Sequence, residues 1–100
     1  AILSDRYYIS SNRESGEGRF DIQLEPKDKS QLGYIIEFKA GKNLSDTELA
    51  NSASSAIQQI QSKKYSTDME YHSIKKIGLF GIAFSGKRVA AKYEEIQLHS

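Results

Sequence analysis

Gly33-Tyr34-Ile35-Ile36-Glu37-Phe38-Lys39-Ala40 is the stretch on which the fold turns. It is rich in aromatic and β-branched residues and reads as a strand from Tyr34 to Ala40, closed by Gly41. Ile36, Phe38 and Ala40 share one face, and Ile35, Glu37 and Lys39 share the other. Adjacent Ile35 and Ile36 imply that both faces are partly covered, as in a central strand. Glu37 and Lys39 then project from one face, about 6.5–7 Å apart at their Cα atoms. Charges embedded in a strand this apolar need partners.

The preceding stretch, Gly16-Glu17-Gly18-Arg19-Phe20-Asp21-Ile22-Gln23-Leu24, reads as the strand before it. Arg19 to Glu25 alternates strictly, with Phe20, Ile22 and Leu24 on one side and Arg19, Asp21, Gln23 and Glu25 on the other. Pro26 has no backbone donor and ends it. Further upstream, Arg6-Tyr7-Tyr8-Ile9-Ser10-Ser11 predicts a first strand, and polar Asn12 to Gly18 predicts a turn. Asp28 to Gln31 is a charged connecting loop.

Downstream, Ser45-Asp46-Thr47-Glu48 is a capping box that opens a helix from about Asp46 to Tyr65. Leu49, Ala53, Ala56, Ile57 and Ile60 fall in one stripe at 100° per residue. Small residues from Ala50 to Ala56 allow that helix to pack closely on a sheet. Ser66 to Ser73 is a connector with room for a helical turn. Ile74 to Phe84 predicts a buried strand, Ser85-Gly86 a two-residue hairpin turn and Lys87 to Leu98 a last strand. The last strand places Val89, Ala91 and Tyr93 on one face. The order β-β-β-α-β-β predicts an α+β domain, a central mixed sheet with the helix across its apolar face.

The chain has 100 residues, 38% hydrophobic and 27% charged, with a net charge of +1. That makes one small domain, residues 1–100, too apolar for disorder. A near-neutral charge restricts any nucleic-acid surface to a local patch. The absence of cysteine excludes disulfides and thiolate metal sites and suits a reducing, cytoplasmic compartment. No apolar run reaches membrane-spanning length, so no membrane partner is expected. A start at Ala1, only a few residues before the first strand signal, reads as a piece of a longer protein.

Asp21, Glu37 and Lys39 carry the chemistry. If their two strands pair with these faces aligned, two carboxylates and an ammonium converge. Hard oxygen ligands suit Mg²⁺ or Mn²⁺, and an ammonium can hold a water or stabilise charge on a phosphate. The simpler reading of Glu-x-Lys is a solvated, salt-bridged sheet face. The Gly-x-Gly-Arg-x-Asp upstream and the central character of the strand weigh against it.

Ser11-Asn12-Arg13-Glu14-Ser15-Gly16-Glu17-Gly18-Arg19-Phe20-Asp21-Ile22, followed by Ile35-Ile36-Glu37-Phe38-Lys39, resembles the core of the PD-(D/E)XK nuclease superfamily. The resemblance is to the branch often found C-terminal to an ATPase-like domain. It continues through Ala56-Ile57-Gln58-Gln59-Ile60-Gln61-Ser62-Lys63-Lys64-Tyr65 and through Ile77-Gly78 to Gly86-Lys87. It implies a restriction-endonuclease-like fold and metal-dependent hydrolysis of nucleic-acid phosphodiester bonds, in DNA first of all. It implies that Asp21 and Glu37 bind the metal, that Lys39 positions the attacking water, and that Gln59 faces the site from the helix. The helical wheel independently puts Gln59 at the border of the apolar stripe. Phe20 replaces the proline of the motif's name. No helix is read before the first strand, so the first core helix and its customary Glu are missing from this stretch: either they were cut away, or Glu14 substitutes as metal ligand. That gap keeps an alternative open: an inactive nuclease-fold module that binds nucleic acid or protein inside a larger protein.

Arg13, Arg19 and Lys63 are candidate phosphate contacts. The pairs Lys63-Lys64, Lys75-Lys76 and Lys87-Arg88 would form a basic track if all three lined the site's rim. Gly81-x-x-x-x-Gly86-Lys87 approaches a phosphate-binding loop, but Arg88 replaces the required Ser or Thr and no helix follows. It reads as a hairpin. His72 and His99 are isolated and read as surface residues.

Overall fold

The computed structural model describes residues 5–14, 19–62, 69 and 71–98, with backbone alone for 12–14 and 19–21. Strands β1 (Tyr7–Glu14), β2 (Arg19–Pro26) and β3 (Gly33–Ala40) precede helix α1 (Asp46–Ser62), and strands β4 (Lys76–Ser85) and β5 (Arg88–Gln97) follow it. All five strands form one sheet in sequential order. Neighbours are antiparallel except β3 and β4, which run parallel with α1 as the crossover between them. This is the expected mixed α+β sheet.

Three boundaries differ from the sequence reading. β1 extends through Asn12, Arg13 and Glu14, which pair with Asp21, Phe20 and Arg19. The strict alternation of β2 offers a full ladder, and these polar residues complete it instead of turning. Pro26 closes β2 within the ladder, opposite Tyr7, because the next donor, Lys27 N–H, reaches Arg6 O at 2.9 Å. Ser85 pairs with Arg88, so the hairpin turn is Gly86-Lys87. Of these two only Gly86 has positive φ (62°), the pattern of a type II′ turn, which wants glycine first. Ahead of β1, Asp5 and Arg6 have helical backbone.

The capping box forms as read. Ser45 N–H donates to Glu48 Oε1 at 2.9 Å and Glu48 N–H donates to Ser45 Oγ at 3.1 Å. These bonds to its ionised form hold the Glu48 carboxyl below its usual range. Leu44 N–H donates to Ser85 Oγ at 3.0 Å, and Arg88 bonds Leu44 O and Asp46. The helix start is thus tied to the hairpin.

Leu49, Ala53, Ala56, Ile57 and Ile60 are buried as the stripe required. Ile57 and Ile60 join Ile35, Ile77 and Leu79 in the main core, closed by Met69 and Ile74 from the connector. Leu49 and Ala53 pack with Ala83 nearer the helix start. α1 lies over β4, β5 and the near side of β3. Its contact face on β3 is the one holding Ile35, Glu37 and Lys39.

The helix covers an apolar face, as expected, and takes the side of Ile35, Ile77 and Leu79. Tyr34 and Phe80 meet on the opposite face, as do Phe38 and Phe84. The reason is shape. A β-carbon at Gly81 would overlap the Ala53 carbonyl oxygen and press on Ala56. Gly81 and Ala83 therefore let the small-residue face of α1 sit close, whereas Phe80, Ile82 and Phe84 would hold it away.

Candidate active site

Among the described residues, Glu37 is the one charged residue in the set of largest fully buried side chains, at 1% exposure. Its place follows from register. In the sheet it stands between Asp21 of β2 and Gly81 of β4. Directly opposed residues of an antiparallel pair have Cα atoms about 4.5–5.5 Å apart, so the backbones of Asp21 and Glu37 adjoin. The Asp21 side chain lies outside the described atoms.

α1 runs antiparallel to β3, since it returns the chain to a parallel neighbour. Lys39 Nζ donates to Ser55 Oγ at 3.3 Å, and Gln59 follows one turn along the same helix flank. Gln59 Oε1 is buried and accepts no hydrogen bond from the described residues. Lys39, Ser55, Gln58, Gln59 and Ser62 line a shallow cavity of about 360 Å³ beside these groups.

The arrangement offers a desolvated carboxylate, a second carboxylate residue at the opposed register position, an ammonium at the rim and an amide carbonyl in want of a donor. Hard oxygens of this kind fit a divalent cation and its water. Among the described residues no three of His, Asp and Glu gather as a ready metal cluster. The fit rests on Glu37, on the register of Asp21 and on the orphaned Gln59 oxygen.

Glu14 faces Arg19 across the β1–β2 ladder. Strand spacing sets its backbone about 12 Å from that of Glu37, two strands away. Arg13 and Arg19 are at the same end of the sheet as Lys39, Arg19 being one residue before the partner of Phe38. Their side chains, like that of Glu14, lie outside the described atoms. Lys63 lies outside the described residues altogether.

The idea of one basic track fails. Lys76 begins β4 and Arg88 pairs with its last residue, Ser85, so about 30 Å of strand separates the two pairs. Lys75 and Lys76 instead line a cavity with Lys29 at the far end of the sheet. Arg88 is engaged with Leu44 and Asp46. His72 is exposed, as read, and its Nδ1 meets Glu25 Oε1 at 2.9 Å; His99 lies outside the described residues.

Ser55 and Ser62 were not singled out in the sequence. Their signal was present: Ser55, Gln58, Gln59 and Ser62 follow the i, i+3, i+4, i+7 spacing of one helix flank. Polar residues on an amphipathic helix look like solvated surface until the sheet edge they overhang is known.

No curated protein and no solved structure matches the chain significantly. A family model of the PD-(D/E)XK nuclease superfamily matches residues 1–94. The match takes in β1 to β4, the helix and most of β5, and the chain belongs to the PD-(D/E)XK nuclease superfamily.

Proposed function

We propose that this chain is a metal-dependent nuclease domain that hydrolyses phosphodiester bonds of nucleic acid, DNA in the first instance. The observation that carries the reading is Glu37, a carboxylate at 1% exposure in mid-strand. Burying a carboxylate is costly unless something compensates its charge, and a site that works on a cation gives it that reason.

Asp21 and Glu37 would hold Mg²⁺ or Mn²⁺. When bound, such an ion polarises a phosphate oxygen and acidifies a coordinated water. Lys39 brings an ammonium to the rim, where it orients the attacking water and offsets charge on the phosphate. Gln59 presents a buried carbonyl oxygen one turn beyond Ser55, suited to accept a hydrogen bond from that water. Arg13 and Arg19 would contact phosphates at the same end of the sheet. The superfamily match supports the reaction class. The branch resemblance and the lack of cysteine support a cytoplasmic domain carried behind an ATPase-like one.

Duplex and single-stranded DNA and RNA, incubated with the chain and Mg²⁺ or Mn²⁺, test this. Glu37→Gln is expected to lower cleavage by at least about 10²-fold while Tm moves by no more than about 5 °C. Equal cleavage by wild type and Glu37→Gln would sink the assignment. Nucleic-acid binding with no cleavage by the wild type would make the chain a binding module on a nuclease fold.

A further inference from the structure

We infer that Ser55 is the positioning residue for Lys39: it anchors the ammonium at the cavity rim and turns its own O–H toward a bound phosphate oxygen. The inference rests on the nuclease reading for its consequence, not for its geometry.

A lysine side chain has about 2 kcal/mol of rotamer freedom to lose. A lysine that must hold one water in one place needs a fixed acceptor. Lys39 Nζ donates to Ser55 Oγ at 3.3 Å, from β3 to the flank of α1. An ammonium has three donors and no acceptor, while a hydroxyl has one donor and two lone pairs. The Ser55 proton therefore cannot point at Lys39. It is directed elsewhere, and both residues line the same shallow cavity.

Ser62 supplies the contrast. It lines the same cavity, but its Oγ donates to the Gln59 carbonyl at 3.2 Å, inside its own helix. Its proton is already committed. Ser55 thus presents a neutral donor beside a fixed cation, a pairing that suits a phosphate oxygen. Ser55 is exposed, and alanine is the better helix former, so its replacement leaves the fold standing.

The test uses the full 100-residue chain as wild type, Ser55→Ala and Ser55→Thr. NMR of the lysine NH₃⁺ groups reads the mobility of Lys39 without metal or nucleic acid. Ser55→Ala is expected to raise that mobility and Ser55→Thr to restore it. Cleavage of a DNA duplex with Mg²⁺ is expected to lose about tenfold in kcat with KM little changed, again restored by Thr. Unchanged Lys39 mobility in Ser55→Ala overturns the inference, and so does an unchanged kcat in an active protein. If the wild type cleaves nothing, the nuclease reading fails, and Lys39 mobility alone decides for or against Ser55 as its anchor.

Discussion

The two faces of the sheet are made of opposite materials. Beneath α1 the buried β3 and β4 residues are Ile35, Glu37, Ile77, Leu79, Gly81 and Ala83. On the other face an aromatic chain crosses the sheet, with ring centroids 6.2 Å apart for Tyr7 and Tyr34, 6.1 Å for Tyr34 and Phe80 and 4.6 Å for Phe80 and Tyr93. Phe38 stacks on Phe84 beside it. No described element covers that face, and Val89, Tyr93 and Phe84 remain 58%, 45% and 39% exposed. The difference teaches that fit, rather than hydrophobicity alone, chose the helix's side. Small residues let the helix come close, and closeness is what buries Glu37.

The largest effect is expected where that closeness is made. Gly81→Ala would drive a methyl group into the Ala53 carbonyl. Helix and sheet would have to part, at about 3 kcal/mol or more. For a domain of this size that lowers Tm by roughly 12–24 °C. Cleavage should fall further than the loss of folded protein accounts for, because Ser55 and Gln59 ride on the displaced helix. A melt within about 2 °C of wild type would mean that the helix does not sit where Gly81 requires.

Much of this contrast was legible beforehand, and the rest was not, for identifiable reasons. The alternation of Arg19 to Glu25 and of Tyr34 to Ala40 sets which residues share a face, and the ladder obeys it. The capping box and the five-residue apolar stripe depend on local geometry alone and appear as read. Glu37 and Lys39 stood out because charge in an apolar strand is locally anomalous. Which face receives the helix is a different kind of question. It depends on side-chain shape summed over β3, β4 and α1, which the pattern of a single strand does not contain. Ser55 was hidden for the same reason, since its role depends on the level at which α1 passes β3. The separation of the basic pairs likewise needed the register of β4.

A smaller effect tests how the cover is laid down. Glu48→Ala removes the carboxylate that accepts from Ser45 N–H and should lower stability near neutral pH. The Glu48 carboxyl is held low by its bonds to Ser45. A depressed carboxylate stabilises the fold above its unfolded value and loses that contribution as pH falls through its folded value. The gap between Glu48→Ala and wild type should therefore be full at pH 7 and narrow in the acid range as Glu48 is protonated. Urea melts at successive pH values measure it. A gap that stays constant down to pH 3 would mean that the ionised carboxylate contributes nothing and leave Glu48 out of the box.

The smallest effect is expected on the uncovered face, where it is most informative. Val89→Thr keeps the β-branched shape and adds one hydroxyl. In a packed core that hydroxyl needs a partner and costs about 1–3 kcal/mol without one. At a residue 58% exposed it meets water, and the change should stay within about 0.5 kcal/mol. Near-zero change in urea melts, beside the collapse in Gly81→Ala, would confirm that the two faces live in different solvents. A loss above about 1 kcal/mol would mean that Val89 is dry in solution. The contrast between the faces would then be one of partner, not of exposure, and the aromatic chain beside it would be a second core rather than a surface.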